Sequence, residues 1–168
     1  MVEIKARCTN LEYAKEILKK VNAEYIGKFH QIDTYFILSD ELKLKLRSID
    51  NKNFILIYYK RPNIADIKKS NVILHKVTDP NSLIKILEDI LGIKVVVDKI
   101  REIYRYMDVQ IHLDTVRNLG SFIEFEKSTN RDSAEKDMEV IRKLMKLFKI
   151  SSSDLIPYSY GELLLKSL

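Results

Sequence analysis

The sequence predicts an α+β fold: an eight-stranded antiparallel β-barrel with a charged lumen and helices packed outside. Two observations carry this expectation. Segment after segment alternates apolar and charged residues with period two, the pattern of a strand with two different faces. These segments follow one another through short turns, with amphipathic helical stretches near the start, the middle and the end. A meander of about eight such strands can close on itself. If the helices cover the apolar faces from outside, the charged faces must point inward.

The opening stretch MVEIKARC sets Val2, Ile4, Ala6 and Cys8 on one side and Glu3, Lys5 and Arg7 on the other, which is a strand. TNLEYAKEILKKVNA has apolar residues at Leu11, Ala14, Leu18 and Val21. With Thr9 three places before Glu12, it reads as a helix opened by a capping box. IDTYFIL and LKLKLRSI follow as strands, and in the second Leu42, Leu44 and Leu46 oppose Lys43, Lys45 and Arg47. NKN turns into FILIYYKRP, a strand that Pro62 ends because proline cannot donate to a ladder. NVILHKV is a further strand. DPNSLIKILEDILG is a helix with Asp79 as cap, Pro80 in its first position and Gly92 past its end. KVVVDKIREIYRYM, DVQIHLDTV and SFIEFEKS complete the strands, DSAEKDMEVIRKLMKLFKI is a long amphipathic helix, and SYGELLLKSL a short terminal one.

At 168 residues the chain is expected to form one domain, 1–168. Its single cysteine excludes an internal disulfide framework and points to a reducing, cytoplasmic setting. No apolar run approaches the ~20 residues of a membrane span. The formal charge of +5, from 29 basic and 24 acidic residues, favours anionic partners. Nucleic acid is disfavoured, because no compact basic helix or recognised module appears.

The inner faces so defined carry Lys5, Arg7, Lys43, Lys45, Arg47, Lys60, Lys99 and Arg101, together with Glu3, Asp114, Glu124 and Glu126. A single strand of this kind is most simply a solvated sheet face, but repetition over several strands favours a charged lumen. Cations gathered inside a protein call for a bound anion to neutralise them. Glu124 and Glu126, two apart on one face, would repel each other unless a hard divalent cation lay between them. Cations for phosphate and carboxylates for a metal are the two halves of a phosphoryl-chemistry site. Cys8 lies on the apolar side and reads as a small buried hydrophobe. His30, His75 and His112 lack the spacing of a zinc site, although His112 shares a face with Asp114.

Read in order, the motifs resemble the CYTH domain, the family of triphosphate tunnel metalloenzymes that includes class IV adenylyl cyclases and thiamine triphosphatases. VEIKAR is similar to the end of the family's ExExK signature through Glu3 and Lys5, with Arg7 after it. QIDTYF, LKLR and YYKRP also match, and KKSNV is similar to a KxS element through Lys68 and Ser70. KIREIY resembles KxRxxY, HLDTVRNLGSFIEFE resembles an Asp followed by LGxFxExE, and SYGELL resembles the close of the class IV branch. The resemblance implies that a small-molecule triphosphate (ATP, thiamine triphosphate or tripolyphosphate) is bound by Lys5, Arg7, Lys45, Arg47, Lys60, Lys68, Lys99 and Arg101. It implies Mg²⁺ or Mn²⁺ on Glu3, Glu124 and Glu126, catalysis through Lys5, Lys99 and Asp114, and a monomer or homodimer. The implied reaction is conversion of ATP to cyclic AMP and pyrophosphate. Hydrolysis of tripolyphosphate, thiamine triphosphate or a nucleoside triphosphate is an alternative, as is a non-catalytic nucleotide- or polyphosphate-binding module. Two positions depart from the family pattern: its first glutamate falls at Met1, and Lys76 stands where relatives often have an acid.

Overall fold

The computed structural model describes residues 1–39, 41–60, 64–130 and 132–168. Pro62, expected to end the fourth strand, lies outside them. Among the described residues nine strands appear in chain order: β1 (Val2–Arg7), β2 (Glu24–Phe36), β3 (Leu42–Ile49), β4 (Asn53–Lys60), β5 (Lys68–Lys69), β6 (Asn71–Val77), β7 (Ile93–Tyr106), β8 (Val109–Val116) and β9 (Gly120–Lys127). The helices are α1 (Leu11–Lys20), α2 (Pro80–Leu91), α3 (Ala134–Leu147) and α4 (Tyr160–Lys166). None is long and apolar enough to cross a membrane.

The strands form one antiparallel sheet in the order β5-β1-β9-β8-β7-β2-β3-β4-β6. Its two edge strands are consecutive in the chain and separated only by Ser70, so the backbone itself joins the edges. Ser70 is paired to Met1 in both directions, Ser70 N to Met1 O at 3.0 Å and the Met1 amine to Ser70 O at 3.3 Å. Counted as one strand that changes partners, β5 and β6 reduce the nine to the expected eight. The join covers only the start of β1, and β6 pairs only with β4, so the barrel is nearly rather than fully closed.

The outer faces behave as the alternation predicts. Val2, Ile4 and Ala6 of β1, Val109, Ile111 and Leu113 of β8, and Ile123 and Phe125 of β9 are buried against Ala14, Ile17 and Leu18 of α1 and Ile141 and Leu144 of α3. Helix α2 buries none of its residues, and Ile86 and Ile90 stay exposed. A second cluster, Tyr35, Val97, Val116, Phe122 and Tyr160, seats α4 at one end of the barrel.

Two local expectations change. Helix α1 is capped by Asn10, whose side chain accepts from Tyr13 N at 3.0 Å, rather than by Thr9. Glu12 pairs instead with Lys15 on the exposed face. Strand β2 begins at Glu24, eight residues before the predicted start at Ile32. Its first half pairs with β7 through an irregularity between Tyr25 and Gly27, which breaks the alternation that the sequence reading relies on.

Phe125 is fully buried, with its ring 5.3 Å from that of Phe148. Phe125→Ala should cost about 3–5 kcal/mol of stability. Urea denaturation is expected to show a lower midpoint with an unchanged slope.

Candidate active site

Inward-facing positions alternate along each strand. On β3, Lys45 and Arg47 point inward; on β7, Lys99 and Arg101; on β2, Gln31, Asp33 and Tyr35. Cross-strand pairing sets Arg47 opposite Asp33 and Lys45 opposite Tyr35, while Lys99 lies opposite Gln31. Asp33 is fully buried and binds three cations: Arg47 through both oxygens at 2.7 and 2.8 Å, Lys45 at 2.9 Å and Lys99 at 3.0 Å. Burial alone would raise its pKa, but Arg47, Lys45 and Lys99 override that and hold it well below the usual carboxylate range. Lys99 shows the opposite balance. Burial and the like charge of Arg47 push its ammonium well below the ordinary lysine value, and Asp33 opposes this only in part.

A second network joins Arg101 of β7 to β1, β8, β9 and the start of α4. Arg101 donates to both oxygens of Asp114 at 2.7 and 2.6 Å and to Glu124 at 2.7 Å. Tyr160 donates its hydroxyl to Asp114 at 2.6 Å. Lys5 pairs with Glu124 at 3.0 Å and sits 3.9 Å over the Tyr160 ring. Burial would raise the pKa of Glu124, yet Lys5 and Arg101 hold it well below the carboxylate range, so it stays ionised. His112 is directly opposite Glu124, with Nδ1 at 3.5 Å from Glu124 and 3.7 Å from Glu126.

Both networks face one cavity of about 320 Å³. Lys45, Arg47, Lys99 and Arg101 line one wall, and Glu3, Lys5, His112, Glu124 and Glu126 another. A third wall is apolar, made by Ile57 and Tyr59 of β4 and Val72 and Leu74 of β6. Gln31 opens on the same space, is 3 % exposed, and its carbonyl oxygen has no partner among the described residues. A buried acceptor in this position is open to a water or a ligand group in the cavity.

The structure thus gathers Glu3, Lys5, Lys45, Arg47, Lys99, Arg101, Glu124 and Glu126 around one space, and places four of the sequence-predicted residues elsewhere. Tyr59 points into the barrel, so Lys60 points out, where it is exposed and pairs with Glu41 at 3.1 Å. Arg7 is exposed beyond the cavity, over the Phe122 ring. Lys68 is absent from the main cavity: it bonds the carbonyls of Ile156 and Pro157 at 3.3 and 2.6 Å and borders a small side pocket with Glu3, Lys5, Glu124 and Glu126. Asp114 has no exposed surface and meets the cavity through Arg101 and Tyr160. The lumen cations are also partly paired internally: Asp33, Asp114 and Glu124 answer Lys5, Lys45, Arg47, Lys99 and Arg101, three carboxylates for five cations, which leaves positive charge for an anion to offset. Asp33 and Tyr160 are the groups that sequence reasoning missed. Asp33 shares the inward parity of Gln31 and Tyr35, which was a usable signal.

The donor set on the acidic wall fits a divalent ion. The ligand atoms of His112, Glu124 and Glu126 all lie within 4.8 Å of one another, and Glu3 is opposite Glu126 in register.

A nearly closed antiparallel barrel with facing basic and acidic walls is the architecture of a tunnel protein. The chain belongs to the CYTH domain family, whose sequence pattern matches residues 1–160. It is 36 % identical to "Putative adenylate cyclase MJ0240" of Methanocaldococcus jannaschii, across 96 % of this chain and 97 % of that one. It is similar to the solved PH1012 protein of Pyrococcus horikoshii, with a TM-score of 0.88 at 26 % identity, covering 96 % of this chain and 98 % of that one. A protein of Vibrio parahaemolyticus described as a "putative adenylate cyclase" shares the fold at a TM-score of 0.82 and 22 % identity, with 97 % and 96 % covered.

Asp33→Asn leaves three buried cations without their shared counter-charge and should destabilise the protein by about 3–5 kcal/mol at neutral pH. Because the native pKa of Asp33 lies below the unfolded value of about 3.9, its contribution is complete above that pH and is lost as pH falls through the native value. The gap between wild type and variant in denaturation midpoint should therefore persist from pH 8 to 5 and close on further acidification. Equal stability at pH 7 would contradict the network.

Proposed function

We propose that this chain is a metal-dependent enzyme acting on an organic triphosphate held in the barrel, and that its reaction is cyclisation of ATP to cyclic AMP and pyrophosphate. The observation that carries this is the convergence of Lys45, Arg47, Lys99 and Arg101 on one wall of a cavity whose other wall presents Glu3, Glu124 and Glu126. The cation crowding that depresses Lys99 is relieved when a polyanion enters.

Lys45, Arg47 and Lys99 bind the triphosphate oxygens, Arg47 in the forked geometry that suits phosphate. Asp114 and Tyr160 hold Arg101 in place from behind. Lys5, between Glu124 and the Tyr160 ring, bridges the acidic wall and the phosphate chain. A divalent ion on Glu3, Glu124 and Glu126 would supply Lewis-acid stabilisation of charge on the phosphate oxygens. The apolar wall of Ile57, Tyr59, Val72 and Leu74 receives the organic part of the substrate, which supports a nucleotide over bare tripolyphosphate. In cyclisation the ribose 3′ hydroxyl attacks the α-phosphorus and pyrophosphate leaves. The name carried by the M. jannaschii relative, 36 % identical over nearly the whole chain, supports this reaction. Hydrolysis, with water attacking the terminal phosphorus, draws on the same walls and differs in product.

The test is product analysis with ATP, thiamine triphosphate and tripolyphosphate, each with Mg²⁺ and with Mn²⁺. Cyclic AMP and pyrophosphate are expected from ATP; orthophosphate as the sole product would assign hydrolysis instead. Tripolyphosphate without metal should raise the melting temperature, with a gain of about 2.7 kcal/mol at 100 times its dissociation constant. Lys45→Met removes one lumen cation and leaves Asp33 with Arg47 and Lys99, so the fold should survive. Its affinity for tripolyphosphate, by calorimetry, should fall about 10- to 150-fold, the worth of one charge-assisted hydrogen bond. Unchanged affinity would remove Lys45 from the phosphate wall.

A further inference from the structure

We infer that His112 is a metal ligand, and that with Glu124 and Glu126 it forms a mixed nitrogen–oxygen site that takes a first-row transition ion such as Mn²⁺ in preference to Mg²⁺. The inference rests on the metal-dependent reading above for its use in catalysis, but its ligands stand on geometry alone.

His112 is 3 % exposed and faces Glu124 across the β8–β9 ladder, so its position is fixed by two paired strands. Its Nε2 bonds the side-chain oxygen of Gln110 at 3.2 Å. That oxygen only accepts, so Nε2 carries the proton. Nδ1 is left as the ring atom aimed at the two carboxylates, 3.5 Å from Glu124 and 3.7 Å from Glu126. A histidine whose outer nitrogen is pinned by an amide or carboxylate while the inner one meets carboxylates is the arrangement that orients an imidazole towards a metal. Separations of this size suit donors sharing one ion at bond lengths of about 2.0–2.2 Å.

The chain has a reason to recruit such a donor. Met1 lines the cavity where the family signature has its first glutamate, so β1 offers one carboxylate, Glu3, instead of two. A further donor beside the carboxylates therefore comes from β8, on the same wall. Exchanging a carboxylate for an imidazole changes the selectivity of the site. Mg²⁺ gains little from nitrogen and keeps its waters, whereas first-row transition ions gain from it.

The experiment uses the metal-free full chain and Mn²⁺ alone, with no triphosphate. Electron paramagnetic resonance titration should find one bound Mn²⁺ per chain, and pulsed measurements should show ¹⁴N modulation from a directly coordinated imidazole. His112→Gln should abolish that modulation and weaken Mn²⁺ at least ten-fold while changing Mg²⁺ affinity less than three-fold. Should His112→Gln fail to fold, the wild-type spectrum decides the matter without it. Bound Mn²⁺ lacking nitrogen modulation, no bound Mn²⁺, or equal losses for the two metals would each overturn the assignment. Nitrogen-coordinated Mn²⁺ in a protein that turns over no triphosphate would support this site and sink the proposed reaction; turnover with an all-oxygen Mn²⁺ site would do the reverse.

Discussion

Asp33, a carboxylate with no access to solvent, holds Lys45, Arg47 and Lys99 together, and the charged interior of the barrel depends on it. Closing the sheet forces the inner faces of all the strands to share one enclosed space, where an unpaired charge costs several kcal/mol. The lumen meets that constraint by pairing. Asp33 answers the cations of β3 and β7, while Asp114 and Glu124 together answer Arg101 and Lys5. The site is thus pre-formed around carboxylates that offset part of the positive charge and leave the rest for a ligand.

The same economy ties the end of the chain to the tunnel. Lys5 reaches the carbonyl of Tyr158, Lys68 those of Ile156 and Pro157, and Lys43 pairs with Glu162 at 2.8 Å. Ser159 and Glu162 form a capping box at the start of α4, and the Lys43 bond together with that box brings the Glu162 pKa down to about 2, against the effect of burial. Helix α4 is short, but its first turn is fixed by charge as well as by packing. This is why Tyr160 can sit against Asp114 and under Lys5 with so little helix behind it.

Much of this was legible in the sequence, and the reasons for the misses are physical. Period-two alternation exposed β1, β8 and β9 because each has one face on the helices and one in the lumen, and β3 because its lysines and arginine face the lumen opposite a row of leucines. It failed at the start of β2, where pairing extends through an irregularity near Gly27 and no single face is buried. It misled at Lys60 because β4 presents apolar residues to the lumen, Ile57 and Tyr59, so the charged parity there is the outer one. A motif match aligned Lys60 and Lys68 with phosphate-binding positions, but only tertiary placement reveals that one faces solvent and the other secures a backbone turn. Asp33 escaped notice for a related reason: an acid among inward cations looks like an exception until its three partners, from two strands, are seen to converge.

Internal pairing also dictates how ligands can enter on the proposed reading. A triphosphate that draws Lys5 and Arg101 towards its oxygens strips Glu124 of its counter-charges, and a buried carboxylate so stripped is destabilised. Glu126 and His112 stand beside it and cannot make up the deficit alone. A divalent cation on that wall replaces the positive charge that the substrate removes. A metal arriving alone, in turn, competes with Lys5 and Arg101 for Glu124 and leaves those cations facing an empty cavity. Each ligand therefore repairs the imbalance that the other creates. By reciprocity the triphosphate must tighten the metal by the same factor by which the metal tightens the triphosphate. The coupling arises from a lumen in which Glu124 is already paired with the cations that each ligand would draw away.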